Sequence, residues 1–310
     1  MKKFILHSII FFAILVICMV IVYLLQIGQV GRHYERFSSP QAYSLILGSS
    51  MAASDIDPAV VDSVFQDTHQ LPIYNYSFAI HTSPYGETYS KSVFRKLKSN
   101  SNQNSLFILA VDPFSIGNIL QDVEGESRRE DRSFVGKMYF VHHKPNLEYL
   151  IRFSILNKKF YRRTNTKEMI NSSGRYISRL SMDEDSSEVL KRFYDVILPE
   201  YYEYVLPTYT LSEERVESLI KLIRYLKEQG EVYLVRLPVG PEYSAIMDSI
   251  YPSFDQDMKR LTIEEKVSYI NFRTNNLDYR TTDGVHLYNS EGTRMTHALC
   301  DSIKVIRNEK

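Results

Sequence analysis

A chain of 310 residues with 44% hydrophobic and 24% charged residues has the composition of an ordinary globular protein, which excludes a disordered one. Lysine plus arginine and aspartate plus glutamate each number 37, so no net field gathers polyanions, and nucleic-acid binding is set aside. Cys18 sits in an apolar run and Cys300 near the C-terminus, so no disulfide framework is expected.

The first element is that apolar run. Residues 9–25 are unbroken, and residues 4–27 are interrupted only by His7, Ser8 and Gln26. A helix of that length reaches ~36 Å and crosses a ~30 Å hydrocarbon core with some tilt. It is apolar all round, where a buried core helix would carry a stripe. The run exceeds the ~7–15 apolar residues of a cleaved signal, and no small-x-small site follows. Ile17, just before Cys18, argues against a lipoprotein signal. A retained transmembrane anchor over residues 1–30 is expected. Lys2 and Lys3 favour a cytoplasmic N-terminus and an extracytoplasmic remainder, although Arg32 and Arg36 follow closely.

Residues 31–40 read as a short polar linker into one domain covering 31–310. Apolar strand-like runs then alternate with helical patterns, which argues an α/β fold with a five-stranded parallel sheet covered on both faces. The strands are expected at 43–47, 73–78, 106–111, 232–237 and 267–272. Asp57-Pro58 reads as an N-cap and first helical residue, opening a helix to about Phe65. A second helix follows Ser83-Pro84 to about Lys98, a third runs over 212–229 and stops at Gly230, and a last one closes the chain at 290–305. Residues 117–210 break the alternation. They hold charge-rich stretches at 127–132 and 158–163 and a tyrosine-rich stretch at 194–209. That segment is expected to be a largely helical insertion, either a solvated excursion or a cap that selects substrate.

Chemistry is expected where strands end. Gly48-Ser49-Ser50 follows the first strand, where doubly wound sheets place their sites. A serine hydroxyl needs a base within reach, and Asp283-Gly284-Val285-His286 supplies one after the last strand. Three residues of separation let one tight loop hold Asp283 against His286, fixing its tautomer. Either piece alone is commonplace; their joint placement marks Ser50, Asp283 and His286 as a catalytic triad. Arg236, near the fourth strand's end, either binds an anionic substrate group or pairs with a surface carboxylate. His81, His142, His143 and His297 have no metal-ligand spacing, and adjacent His142 and His143 are expected to point apart. With no phosphate loop or dinucleotide fingerprint, no cofactor is expected.

Gly48-Ser49-Ser50-Met51 resembles the first block of GDSL/SGNH hydrolases, with Ser49 in place of the usual aspartate. Asp283-Gly284-Val285-His286-Leu287 with Asn289-Ser290-Glu291-Gly292 is similar to their final block. The resemblance implies a flavodoxin-like sheet, a Ser50 nucleophile, a His286 base and an Asp283 orienter. The middle blocks depart from it. In place of a glycine after strand two stands Asn75-Tyr76-Ser77, and in place of an asparagine after strand three stands Asp112-Pro113-Phe114. Asn75, Ser77 and Asp112 are therefore the candidate oxyanion or substrate-binding residues, with the Ser50 and Ser77 N–H groups as donors. Losing one such donor costs ~10²–10³ in rate. With its anchor, the chain further resembles extracytoplasmic proteins of D-alanyl and O-acetyl transfer. That resemblance implies an acylated glycan or cell-envelope polymer as substrate and a membrane-bound acyltransferase as partner. Esterase, acyltransferase and inactive binding protein all remain open.

Overall fold

Residues 45–47, 106–110 and 232–235 of the central strands form unbroken apolar runs because both of their faces are buried. In the computed structural model, residues 1–26, 33–99, 101–118, 128–155, 168–178, 187–273 and 278–309 are described. Among them the main sheet has five strands: β1 (Ser44–Leu47), β2 (Ile73–Asn75), β3 (Ser105–Ala110), β4 (Gly230–Arg236) and β5 (Ser268–Asn271). They are parallel and run in the order β2-β1-β3-β4-β5. Leu45, Leu47, Phe107, Leu109, Val232 and Leu234 face one core, while Ile46, Leu106, Ile108, Tyr233 and Val235 face the other. Two-sided burial explains the continuous apolar runs, as expected for a parallel sheet.

The helices are α1 (Lys2–Gln26), α2 (Tyr34–Ser38), α3 (Ser50–Asp55), α4 (Pro58–Phe65), α5 (Glu87–Lys96), α6 (Glu213–Lys227), α7 (Pro241–Ile250), α8 (Phe254–Glu265) and α9 (Asn289–Asn308). Asp57 caps α4 as its sequence suggests, its carboxylate accepting the Ala59 N–H at 3.1 Å. Residues of α5, α6 and α8 bury their apolar stripes in the first core, and those of α3, α4, α7 and α9 in the second. α1 is long and apolar enough to cross a membrane, and none of its most apolar window is buried against the domain.

Several boundaries differ from the sequence reading. β2, β3 and β5 stop at Asn75, Ala110 and Asn271, short of Phe78, Val111 and Phe272. α6 ends at Lys227, and Gly230 begins β4 rather than capping the helix. α7 and α8, between β4 and β5, have no counterpart in the sequence reading. The expected linker at 31–40 is in part α2, with Tyr34, Arg36, Phe37 and Ser38 buried. Arg36 donates to the Gly174 and Ser77 carbonyls at 2.7 and 2.6 Å, partners remote in sequence. The described parts of the 117–210 insertion combine short helices with two antiparallel pairings, of Gly117–Asn118 with Thr210–Leu211 and of Glu168–Ile170 with Tyr176–Ser178. The charge-rich stretch at 158–163 lies outside the described residues, as do Arg32 and Ser127.

Candidate active site

The turn that presents Ser50 is built for close approach. Gly48 has a φ of +148°, and a Cβ there would lie 2.9 Å from the Ala110 Cβ on β3. A side chain is excluded by both conformation and space. The Gly48 carbonyl accepts the Ser83 hydroxyl at 2.7 Å, pinning the turn from the β2 side. Ser50 then opens α3 with its side chain at the carboxyl ends of the strands.

On the opposite side, the loop after β5 folds around its own aspartate. One oxygen of Asp283 accepts the N–H groups of Val285 and His286 at 3.0 and 2.7 Å. The other meets the His286 Nδ1 at 2.8 Å. Gly284, at φ +80°, makes this turn possible, and a Cβ there would strike the Phe193 ring at 2.6 Å. The His286 Nε2 lies 2.9 Å from the Ser50 hydroxyl, across 236 residues of sequence. Burial pushes the Asp283 carboxyl up, but the His286 charge and three hydrogen bonds outweigh it and bring it down to about 2. Asp283 is thus a carboxylate at neutral pH, accepting from Nδ1–H and leaving Nε2 lone-paired toward the serine.

Two cavities meet at this serine. One of about 480 Å³ is lined by Ser50 and His286 together with Ser54, Tyr176, Ser178 and Arg192. The other, about 180 Å³, lies against Ser49, Ser50, Asp112, Phe114, Tyr201 and Tyr243. Tyr176, Ser178, Arg192 and Tyr201 come from the insertion, so its described part contributes to the walls of these cavities. Arg175 fixes that wall. It donates to the Ser54 and Asn289 carbonyls at 3.0 and 2.9 Å and pairs with Asp57.

Of the remaining candidates only Asp112 borders a cavity. It is 4% exposed, accepts the Ser115 N–H at 2.9 Å, and burial pushes its carboxyl up to about 6. Asn75 and Ser77 are fully buried and line neither cavity. Asn75 donates to the Ala52 carbonyl at 2.7 Å and accepts the Ser77 N–H at 3.2 Å, so that N–H is not an oxyanion donor. Asn75 ties β2 to α3 instead, and the Ser77 hydroxyl donates to the Ile46 carbonyl of β1 at 3.3 Å. Arg236 is 2% exposed; it pairs with Asp255 at 2.7 Å and lies over the Phe254 ring, away from both cavities. The ion-pair alternative is the correct one. His142 and His143 do not point apart; their rings are 4.5 Å from centroid to centroid.

The sequence reading missed Asp55. It ends α3 fully buried, with one oxygen accepting the Leu287 N–H at 3.1 Å and the Ser54 hydroxyl at 2.5 Å. The other oxygen is buried with no hydrogen-bond partner. Burial pushes this carboxyl up to about 7, against the opposing pull of His286. Asp55 braces the histidine loop from behind. An aspartate two residues before a helix cap carries no local signal of that role. Ser49, which stands where the GDSL block has aspartate, is 3% exposed and its hydroxyl has no partner. Among the described residues no group of three or more His, Cys, Asp or Glu side chains is placed to hold a metal ion.

No protein-family model matches this chain, and comparison with curated proteins found no match.

Proposed function

We propose that the chain is a membrane-anchored serine esterase or O-acyltransferase of the SGNH kind, acting on acyl esters of an extracytoplasmic glycan or cell-envelope polymer. The observation that carries this reading is the hydrogen-bonded line Ser50–His286–Asp283, at 2.9 and 2.8 Å. The strand order 2-1-3-4-5 supports it, being the flavodoxin-like doubly wound order, whose sites lie at the carboxyl ends of the strands.

In the proposed reaction His286 Nε2 takes the Ser50 proton as Oγ attacks the acyl carbonyl. The tetrahedral intermediate collapses to an acyl–Ser50 ester, and the leaving alcohol receives the proton from the imidazolium. An acceptor hydroxyl then repeats the sequence in reverse, with His286 as its base. Water as acceptor gives hydrolysis, and a sugar hydroxyl gives transfer; the first half-reaction is common to both. The α1 helix would hold this site at the membrane surface, beside a membrane-bound acyltransferase that supplies acyl groups.

One observation favours a second reading, an inactive binding or assembly protein on the same fold. The Ser77 N–H is engaged by Asn75, and a carboxyl rather than an amide borders the small cavity at Asp112. A serine-directed fluorophosphonate, applied to the full chain in membranes, decides between them. Labelling that disappears in Ser50→Ala supports the enzyme; an unlabelled wild-type chain supports the binding protein.

A further inference from the structure

Close in the chain to its entry into the domain lies a group of exposed apolar side chains outside α1. Tyr139, Phe140, Leu147 and Ile151 are 64%, 45%, 48% and 45% exposed. They form one local cluster. The Tyr139 and Phe140 rings meet edge to face at 5.3 Å, and both of their N–H groups donate to Glu148 at 2.9 and 3.0 Å. The Asn146 amide donates to the Phe140 carbonyl at 2.6 Å, tying the start of the segment that carries Leu147 back to Phe140. Lys137, Lys144 and Arg152, exposed on the same stretch, bring positive charge, with Lys144 paired with Glu35 and Arg152 with Glu148 at 3.5 Å. Isolated exposed apolar side chains need no explanation, but two aromatic and two aliphatic ones along one short stretch of chain do.

The place of this cluster in the chain says what covers it. α2 is bonded directly to it: the Asn146 N–H donates to the Tyr34 hydroxyl at 2.9 Å, the Tyr34 and Tyr149 rings touch edge on at 5.2 Å, and Glu35 pairs with Lys144. Residues 27–33 join α2 to the end of α1. Even fully extended, that stretch spans roughly 25–30 Å. The cluster is therefore tethered, through α2, within that length of the end of α1 and of any bilayer that α1 crosses. Tyr, Phe, Leu and Ile accompanied by Lys and Arg is the composition that settles at the boundary between headgroups and acyl chains.

The geometry points to a second membrane contact: the Tyr139–Phe140–Leu147–Ile151 cluster dips into the bilayer interface and holds the domain against the membrane in one orientation. The occupant is phospholipid, with aromatic rings at headgroup depth and the cations toward phosphates. This inference rests on the anchor reading of α1, and its test separates the two.

The full chain is reconstituted in vesicles of phosphatidylcholine and phosphatidylglycerol that carry spin-labelled lipids. A fluorophore on native Cys18, exposed on α1, reports the anchor, because Cys300 is buried and does not compete. In a Cys18→Ala chain, Phe140→Cys reports the patch, Tyr139→Cys repeats it, and Val305→Cys on α9, on the opposite face of the sheet, is the control. Quenching of the Cys18 probe by deep labels, with several-fold stronger quenching by shallow labels at 140 and 139 than at 305, is the expected result. A quenched Cys18 probe with equal, weak quenching at 140 and 305 overturns the second contact and leaves the anchor standing. An unquenched Cys18 probe overturns the anchor and this inference with it. Weak quenching at 140 that becomes strong only on dilution to one chain per vesicle assigns the patch to a second copy at ordinary density, which also overturns it.

Discussion

At the scale of single residues, Ser50 and His286 act as a unit if the proposed chemistry is right. Ser50→Ala and His286→Ala are each expected to lower turnover of an acyl-ester probe to a common floor, with the double variant no lower, because triad members are not additive. Ser49→Ala should cost far less, since its hydroxyl bonds to nothing in the structure. Steady-state rates of the four proteins check this, and a double variant well below both singles sinks it. Asp55 makes a separate claim, about stability. Its carboxyl is pushed up from 3.8 to about 7, so between those values the folded protein holds a proton that the unfolded chain has released. Stability from this group is therefore full at low pH and lost as pH rises through about 7, by up to about 4 kcal/mol. Asp55→Asn keeps an acceptor for the Leu287 N–H and removes the ionisation. Its melting temperature should fall less between pH 5 and pH 8 than that of the wild type; parallel curves would refute the account.

At the scale of elements, legibility followed the range of the interactions that make each one. The three central strands could be read because an apolar run buried on both faces leaves its mark in consecutive residues. The Asp57-Pro58 cap and the Asp283-to-His286 loop are local as well, and both formed as their spacing implies. α2 was illegible because its partners are remote: Lys96 on α5 donates to the Phe37, Ser39 and Val141 carbonyls at 3.0, 2.5 and 2.9 Å. Arg236 and Ser77 misled for the same reason, each being adjacent to a strand end while its bonds lie elsewhere. Lys96 is fully buried, and desolvation holds its ammonium well below the ordinary lysine value. Lys96→Met leaves those carbonyls without a donor inside the first core, at a cost of about 3 kcal/mol or more. Hydrogen exchange should show α2 opening before the sheet in this variant. Uniform protection across α2 and β1 at an unchanged melting temperature would show that the ammonium is not what holds α2.

For the whole molecule, what matters is which side of the membrane the domain occupies. Orientation is set by lysines and arginines within the first 15–20 residues flanking a span, whereas long domains cross largely regardless of charge. α1 opens on Lys2 and Lys3 with no acidic residue in its first turn, and Arg32 and Arg36 follow its end. We propose on that basis that the Lys2–Lys3 end of α1 stays in the cytoplasm and that the Ser50 site is carried out. A reporter that works only outside the cytoplasm, fused after Lys310, is expected to be active, and one that works only inside is expected to be silent. The reverse result would place the site in the cytoplasm and remove cell-envelope polymers as substrates. It would leave the Ser50–His286–Asp283 geometry untouched, because that geometry depends on strand ends meeting at one edge of the sheet and not on the side of the membrane they face.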